Sequence, residues 1–383
     1  MTVTTTEGKV IKCKAAVAYG PKQDMVIEEI EVAPPKAGEI RVKILYAGIC
    51  QSDAYILAGK DGGTNQYPLI LGHESSGIVE SVGEGVTEFA PGDYVIPLFM
   101  PQCKECKLCK SGRTNLCFKT SQYFTSNQHD DGTSRFSING KPVGLFLGVS
   151  AFSQYTVVSQ ASLTKIRPND KMNRICLLGC CVPTGYGAAV NTADIKKGDT
   201  VAVFGLGALG LSVIQGAAAA GASRIAAIDI NPGKFDKAKE FGATDFYNPN
   251  DHKDIGIVNV IRQQFGGGVD CSFDTSGGGI SVMNDAFECT MPGWGTSVIV
   301  SIAPAGEKIS TDPKSLNFGK KWTGCMFGDV KGSDLDSYVE KYLDGKLMLD
   351  EYCTHHLPLS EINKGFQLLR DGESIRTIIS MFD

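Results

Sequence analysis

The chain has 383 residues, 42% of them hydrophobic and 21% charged, with a formal net charge of -5. That length allows two domains with a sizeable core each, and the lack of any Lys/Arg block excludes an electrostatic nucleic-acid surface. Met1 to Lys14 is polar and threonine-rich, no stretch approaches the roughly 18 apolar residues of a membrane span, and thirteen cysteines suit a reducing compartment, so a cytoplasmic protein with no membrane or nucleic-acid partner is expected.

The first half carries short alternating or β-branched runs, such as Ile40 to Leu45, Ser76 to Ser81 and Tyr94 to Pro97. Gly and Pro turns such as Pro91-Gly92-Asp93 separate them, which predicts a mainly β domain. Two segments in this half offer metal-competent side chains, Gly48-Ile-Cys50-Gln51-Ser52-Asp53 and Gly72-His73-Glu74. Each alone carries little weight, because a single Cys or His is more often a core residue than a ligand.

The next feature is different in kind. Cys103, Cys106, Cys109 and Cys117 follow the spacing C-x2-C-x2-C-x7-C. Four thiolates that close in sequence can wrap one zinc ion tetrahedrally and leave no position open. Their neighbours, among them Pro101, Lys104, Lys107 and Gly112, are polar or turn-forming, so the lobe at about residues 101–120 has little core of its own. A metal would have to hold it. Free cysteines in a loop are the plainer alternative, and they fit this lysine-rich setting poorly.

Cys180 and Cys181 follow in Gly179-Cys-Cys-Val-Pro-Thr184-Gly-Tyr-Gly187. Near Thr184 the pattern changes to strands alternating with helices, as in a parallel sheet of βαβ units. Thr200 to Phe204 reads as a buried strand, Gly205-Leu-Gly207-Ala-Leu209-Gly210 follows at once, and a helical pattern runs to Ala220. Asp229 ends the next strand, 19 positions beyond Gly210. In this context GxGxxG is a dinucleotide signature. Gly205 makes the tight turn, Gly207 lets the backbone approach a pyrophosphate, and Gly210 allows close helix packing. The helix N-terminus attracts phosphate. Asp229 should bind the ribose hydroxyls and repel a 2′-phosphate, favouring NAD over NADP. Beyond Gly324 come helix candidates at Asp334 to Leu343 and Leu359 to Leu369, with a strand candidate between them, and composition alone does not say where they pack.

Taken in order, Cys50-x-Ser-Asp, Gly72-His-Glu, the four-cysteine run, Cys180 with Thr184-Gly-Tyr-Gly, the GxGxxG and Ser374-Ile-Arg376-Thr give the chain a resemblance to the zinc-dependent medium-chain alcohol dehydrogenases over essentially its whole length. The resemblance implies an α/β protein: a β-rich GroES-like catalytic domain over 1–182 and 325–383, and a doubly wound Rossmann NAD-binding domain over 183–324. The active site would lie in a cleft between them. It implies two zinc ions per subunit: a catalytic one on Cys50, His73 and Cys180 with a fourth position open, and a structural one on Cys103, Cys106, Cys109 and Cys117. Cys181 does not match a ligand position. Glu74 resembles a carboxylate near the metal, and Asp53 a partner that orients His73.

The implied reaction is reversible hydride transfer between an alcohol, primary or secondary, and NAD+, giving aldehyde or ketone and NADH. Ser52 would hydrogen-bond the substrate oxygen. Thr184 and Leu209 would pack beside the nicotinamide, with Gln51, Lys234 and Arg376 as further cofactor contacts. Tyr55, Phe99, Phe146 and Leu147 would line the substrate pocket. The resemblance also implies a homodimer paired through the nucleotide domains. The apolar stretch Thr296 to Ile302 suits either that edge or an interior strand.

Several positions depart from the pattern. Gln51 stands where relatives carry Arg or His against the pyrophosphate. Tyr55 leans towards the glutathione-dependent formaldehyde dehydrogenase branch, class III. Yet Ser121, four residues past Cys117, replaces that branch's anion-binding arginine. The expectation is therefore an enzyme of ordinary alcohols and aldehydes, with S-(hydroxymethyl)glutathione dehydrogenase as the alternative. A zinc-ribbon interaction protein is a distant one, since it leaves the dinucleotide signature unexplained. His129, His252, His355 and His356 are expected to be structural.

Overall fold

Ten residues from Glu39 to Gly48 form the strand around which the first part of the molecule is built. Seven of its ten residues are buried, and it pairs antiparallel along its length with Glu74–Val82. On its other flank Tyr155–Ser159 covers its first half and Arg376–Ser380 its last three residues. The sheet runs Leu163–Ile166, Tyr94–Pro97, Glu74–Val82, Glu39–Gly48, Arg376–Ser380 and Cys353–Pro358. A separate closed barrel contains Ile11–Ala18, Val26–Val32, Phe136–Ile138, Lys141–Leu145 and Leu69–Ile70. Both terminal helix candidates form, as Leu335–Leu343 and Ile362–Arg370. The segment whose packing composition left open thus adds two strands to the N-terminal sheet.

These observations come from a computed structural model that describes residues 6–303 and 305–382. Part of the polar opening segment lies outside that range. Two units emerge: residues up to Cys180 together with those from Lys331 onward, and Cys181–Val330. The expected boundaries were 182/183 and 324/325. Local packing explains the difference. A Cβ on Gly187 would lie 2.3 Å from the Gly328 carbonyl oxygen, and one on Gly185 would lie 2.4 Å from that of Leu209. The helix Cys181–Gly187 and the turn Phe327–Asp329 are therefore packed with the second unit.

The second unit holds a six-stranded sheet in the order Asp245–Tyr247, Arg224–Ile228, Thr200–Phe204, Cys271–Asp274, Thr296–Ile299, Lys321–Gly324, with every pairing parallel. Counted along the chain this is 3-2-1-4-5-6, the doubly wound order whose ligand crevice opens at the strand ends where the winding reverses. Ala202, Phe204, Ala226 and Ile228 join Ile257, Val260 and Ile261 in one buried cluster. Thr296–Ile299 is interior, which resolves the ambiguity of the Thr296 to Ile302 stretch. Lys321–Gly324 is the strand at that edge. Among the described residues no single helix is long and apolar enough to cross a membrane.

Candidate metal centres and dinucleotide site

Asp53 is fully buried, and its carboxylate accepts three contacts. The Cys50 amide donates to Oδ2 at 3.1 Å, the Gly72 amide donates to Oδ1 at 3.1 Å, and His73 Nδ1 lies 3.1 Å from Oδ1. Cys50 is the N-cap of the short helix Gln51–Leu57, so the chain leaves the central strand, turns, and sends Asp53 back beneath it. Gly72 sits at φ +92°, and a Cβ there would lie 2.7 Å from the Phe152 nitrogen. Only glycine delivers His73 to this place without shifting that backbone.

With Nδ1 engaged by Asp53, the far side of the imidazole faces two thiols. Ligand atoms of Cys50, His73 and Cys180 all lie within 4.8 Å of one another, and all three residues are buried. Two sulfurs and one imidazole with a carboxylate behind the ring is a donor set that suits zinc with one position open. A hydrogen bond with Cys180, opposed by burial and helped by the charges of Arg376 and His73, holds Cys50 well below the usual thiol range. Burial opposes a charged His73, but Asp53 and Cys50 outweigh it and push its pKa well above the ordinary value. Metal binding would displace that proton.

Around this triad, Phe99 and Phe146 meet the His73 ring edge-on, with centroids 5.6 and 5.9 Å away. Leu147 follows at φ +51°, an unusual conformation for leucine, and is buried. Ser52 Oγ lies 4.0 Å from Cys50 Sγ. Tyr55 is half-buried one turn further along the same helix, and Gln51 is exposed at its start. Glu74, fully buried, faces Arg376, whose Nε lies 3.3 and 3.4 Å from its two oxygens. The Arg376 guanidinium also points at Cys50 Sγ, at 3.4 Å. A contact to the metal-site residues was not foreseen for a side chain expected to face the cofactor. The reason is register: Ile378 and Glu74 flank Gly48 on either side.

The four-cysteine lobe forms a second cluster, with all four sulfurs within 4.8 Å. Cys103 and Cys109 are 3.9 Å apart, and Cys106 and Cys117 are 4.0 Å apart. A tetrahedral zinc with bonds of about 2.3 Å would space its sulfurs at about 3.8 Å. The Cys106 amide donates to Cys103 Sγ and the Cys109 amide to Cys106 Sγ. Amides of Cys109 and Phe118 lower Cys106 to about 6, whereas burial pushes Cys117 up to about 12.

In the second unit, the Gly205 turn has φ +95°, and a Cβ there would sit 2.5 Å from Ser276 Cα. One on Gly210 would lie 1.9 Å from the Gly205 carbonyl oxygen. Gly207 differs: nothing lies within 4 Å of a Cβ built there, so this side of the turn is open. It caps the helix Ala208–Ala220. Asp229 accepts from the Leu206 and Asn231 amides, each at 2.8 Å, and from Lys234 Nζ at 2.9 Å. Thr184 is buried and Leu209 half-buried. Thr275 and Ser276, which no sequence pattern singled out, stand against this turn; Thr275 Oγ1 donates to the Phe204 and Gly205 carbonyls. Among the described residues the other histidines join no metal-competent group. His129 lies in a turn and is buried there, with both ring nitrogens facing carbonyl oxygens.

Comparisons with known proteins agree with this geometry. Residues 36–168 match the alcohol dehydrogenase GroES-like domain, and residues 208–343 match the zinc-binding dehydrogenase domain. The chain is 52% identical over 378 residues to the alcohol dehydrogenase class-3 of Zea mays, covering 98% of each chain. It is 48% identical over 379 residues to the S-(hydroxymethyl)glutathione dehydrogenase of Komagataella pastoris, covering 98% of this chain and 100% of the relative. Among solved structures, benzyl alcohol dehydrogenase from Acinetobacter calcoaceticus superposes with a TM-score of 0.88 at 26% identity, covering 97% of this chain and 99% of that one. The chain belongs to the zinc-dependent medium-chain alcohol dehydrogenases and is an oxidoreductase related to their class-3 branch.

Proposed function

We propose that the protein is an NAD-dependent alcohol dehydrogenase carrying two zinc ions per subunit. Cys50, His73 and Cys180 hold the catalytic ion, and Cys103, Cys106, Cys109 and Cys117 the structural one. The observation that carries this reading is the buried two-sulfur, one-imidazole triad tied together by Asp53. Zinc bound there would supply Lewis-acid polarisation of a substrate oxygen. Ser52 binds the substrate hydroxyl and passes its proton outward, and Tyr55 leaves that relay to end in water. Phe99, Phe146 and Leu147 exclude water around the reacting carbon. Glu74 holds Arg376, and together they fix the charge behind Cys50.

In the second unit Gly205, Gly207 and Gly210 receive the pyrophosphate, Asp229 binds the adenosine ribose with Lys234 beside it, and Thr184 and Leu209 support the nicotinamide. The Asp229 carboxylate disfavours a 2′-phosphate, which selects NAD. Gln51 remains the candidate for a further cofactor contact, whereas Arg376 is held by Glu74 beside Cys50.

The substrates we propose are ordinary primary alcohols and their aldehydes. The relatives' names favour a second reading, S-(hydroxymethyl)glutathione, whose carboxylates need a cation. On the helix Phe118–Thr125 the expected arginine is Ser121, whose hydroxyl donates to the Phe118 carbonyl at 3.0 Å. Lys119 on the same helix is taken by Asp130. The proposed compartment is the cytoplasm, consistent with thirteen cysteines that are all free of disulfides. We also propose a homodimer, with Lys321–Gly324 offering the unpaired backbone of an edge strand.

Asp53→Asn should weaken binding at one of the two metal sites by roughly 10–100-fold. Metal analysis after mild chelation then reads one zinc per chain where the parent keeps two, and equal retention contradicts the assignment. Replacing Gln51 by Arg should tighten NADH roughly three- to tenfold; fluorescence titration showing no tightening counts against a pyrophosphate contact. In a kinetic panel, kcat/KM for octan-1-ol is expected to exceed that for S-(hydroxymethyl)glutathione, and the reverse order would select the second reading. Protein purified from a cytosolic fraction should sediment at twice the 40.9 kDa chain mass, and a 40.9 kDa species would exclude the dimer.

A further inference from the structure

Phe124 has no role in the reading above, yet its position is unusual for phenylalanine. It stays 36% exposed on the helix Phe118–Thr125 while its ring meets Phe99 edge-on, with centroids 6.4 Å apart. Phe99 in turn meets the ring of His73. An aromatic path therefore runs from a proposed metal ligand, through one buried ring, to a ring that touches solvent.

The helix that carries Phe124 is fixed at several points. Cys117, a member of the four-cysteine cluster, is its N-cap. Tyr123 is buried on its inner side, donates its hydroxyl to Asp130 at 2.9 Å, and packs so closely on Gly148 that a Cβ there would lie 2.9 Å from the ring. Gly148 belongs to the turn that presents Phe146 and Leu147. That turn is itself held by Ser150, which accepts from the Phe146 amide and donates to the Ile70 carbonyl, both at 2.7 Å. Phe124 is thus a rigid apolar surface beside Phe99. Ser121, its neighbour one turn earlier on the helix face, is too short to cover it.

We propose that Phe124 is a specificity-determining residue: the outer wall of the substrate pocket, which binds the far end of an alkyl or aryl chain whose hydroxyl lies at the His73 end. This rests on the alcohol dehydrogenase reading. Burial of a methylene changes binding roughly fourfold. A wall that meets only the end of a chain should therefore discriminate by chain length and leave short substrates alone.

The test is kcat/KM of Phe124→Ser and Phe124→Leu for ethanol, hexan-1-ol and octan-1-ol, with zinc content and melting temperature measured alongside. The serine variant is expected to lose roughly tenfold on octan-1-ol and less than twofold on ethanol. Phe124→Leu should recover most of the loss, with zinc content unchanged in both. Equal losses at every chain length, or none at any length, overturn the inference and leave the parent reading standing. A parent protein that oxidises no alcohol overturns both.

Discussion

A single buried carboxylate organises the catalytic part of this molecule. Asp53 has no access to water, and it holds the Cys50 amide, the Gly72 amide and the His73 ring at once. A buried charge is tolerated only when its lone pairs are occupied, so the two loops that bring Cys50 and His73 must adopt one relative position. Everything nearby follows from that requirement. Gly72 supplies the left-handed backbone, and the helix Gln51–Leu57 starts where it does so that Asp53 can turn back. The strands flanking Gly48 bring Glu74 and Arg376 to the same place.

The four-cysteine lobe lies outside this frame, and its proposed part is structural. Its influence passes through Cys117 into the helix Phe118–Thr125 and from there to Tyr123 and Phe124. A metal holding these sulfurs would also hold a wall next to Phe99. This gives a lobe with little core a reason to be rigid. The lysine on the same helix is already paired with Asp130, which leaves the Phe124 ring exposed beside Phe99.

Legibility in the sequence followed the distance over which each signal is written. The cysteine run and the GxGxxG unit were plain, because all their parts lie within a few turns of chain and short-range geometry sets their meaning. Cys50, His73 and Cys180 are spread along the chain, so no spacing rule joins them, and only the whole ordered set of motifs did. Strand Arg376–Ser380 finds its partner more than three hundred residues upstream, and Cys353–Pro358 joins the sheet by pairing with it; composition cannot encode that choice. Thr296 to Ile302 looked the same as an edge or an interior strand, because the deciding neighbour, Lys321–Gly324, is short and mostly exposed. Phe124 left no mark, since an aromatic in a polar helix is ordinary until its ring partner is known.

One chain carries two clusters able to hold a metal, which divide six cysteine sulfurs and one imidazole between them. Zinc K-edge X-ray absorption on the purified protein reads that composition directly. The account predicts two ions per chain and an average shell that is mostly sulfur with a distinct imidazole contribution. That contribution should remain when the lobe cysteines are disrupted and vanish in His73→Ala. A single ion with an all-sulfur shell would contradict it.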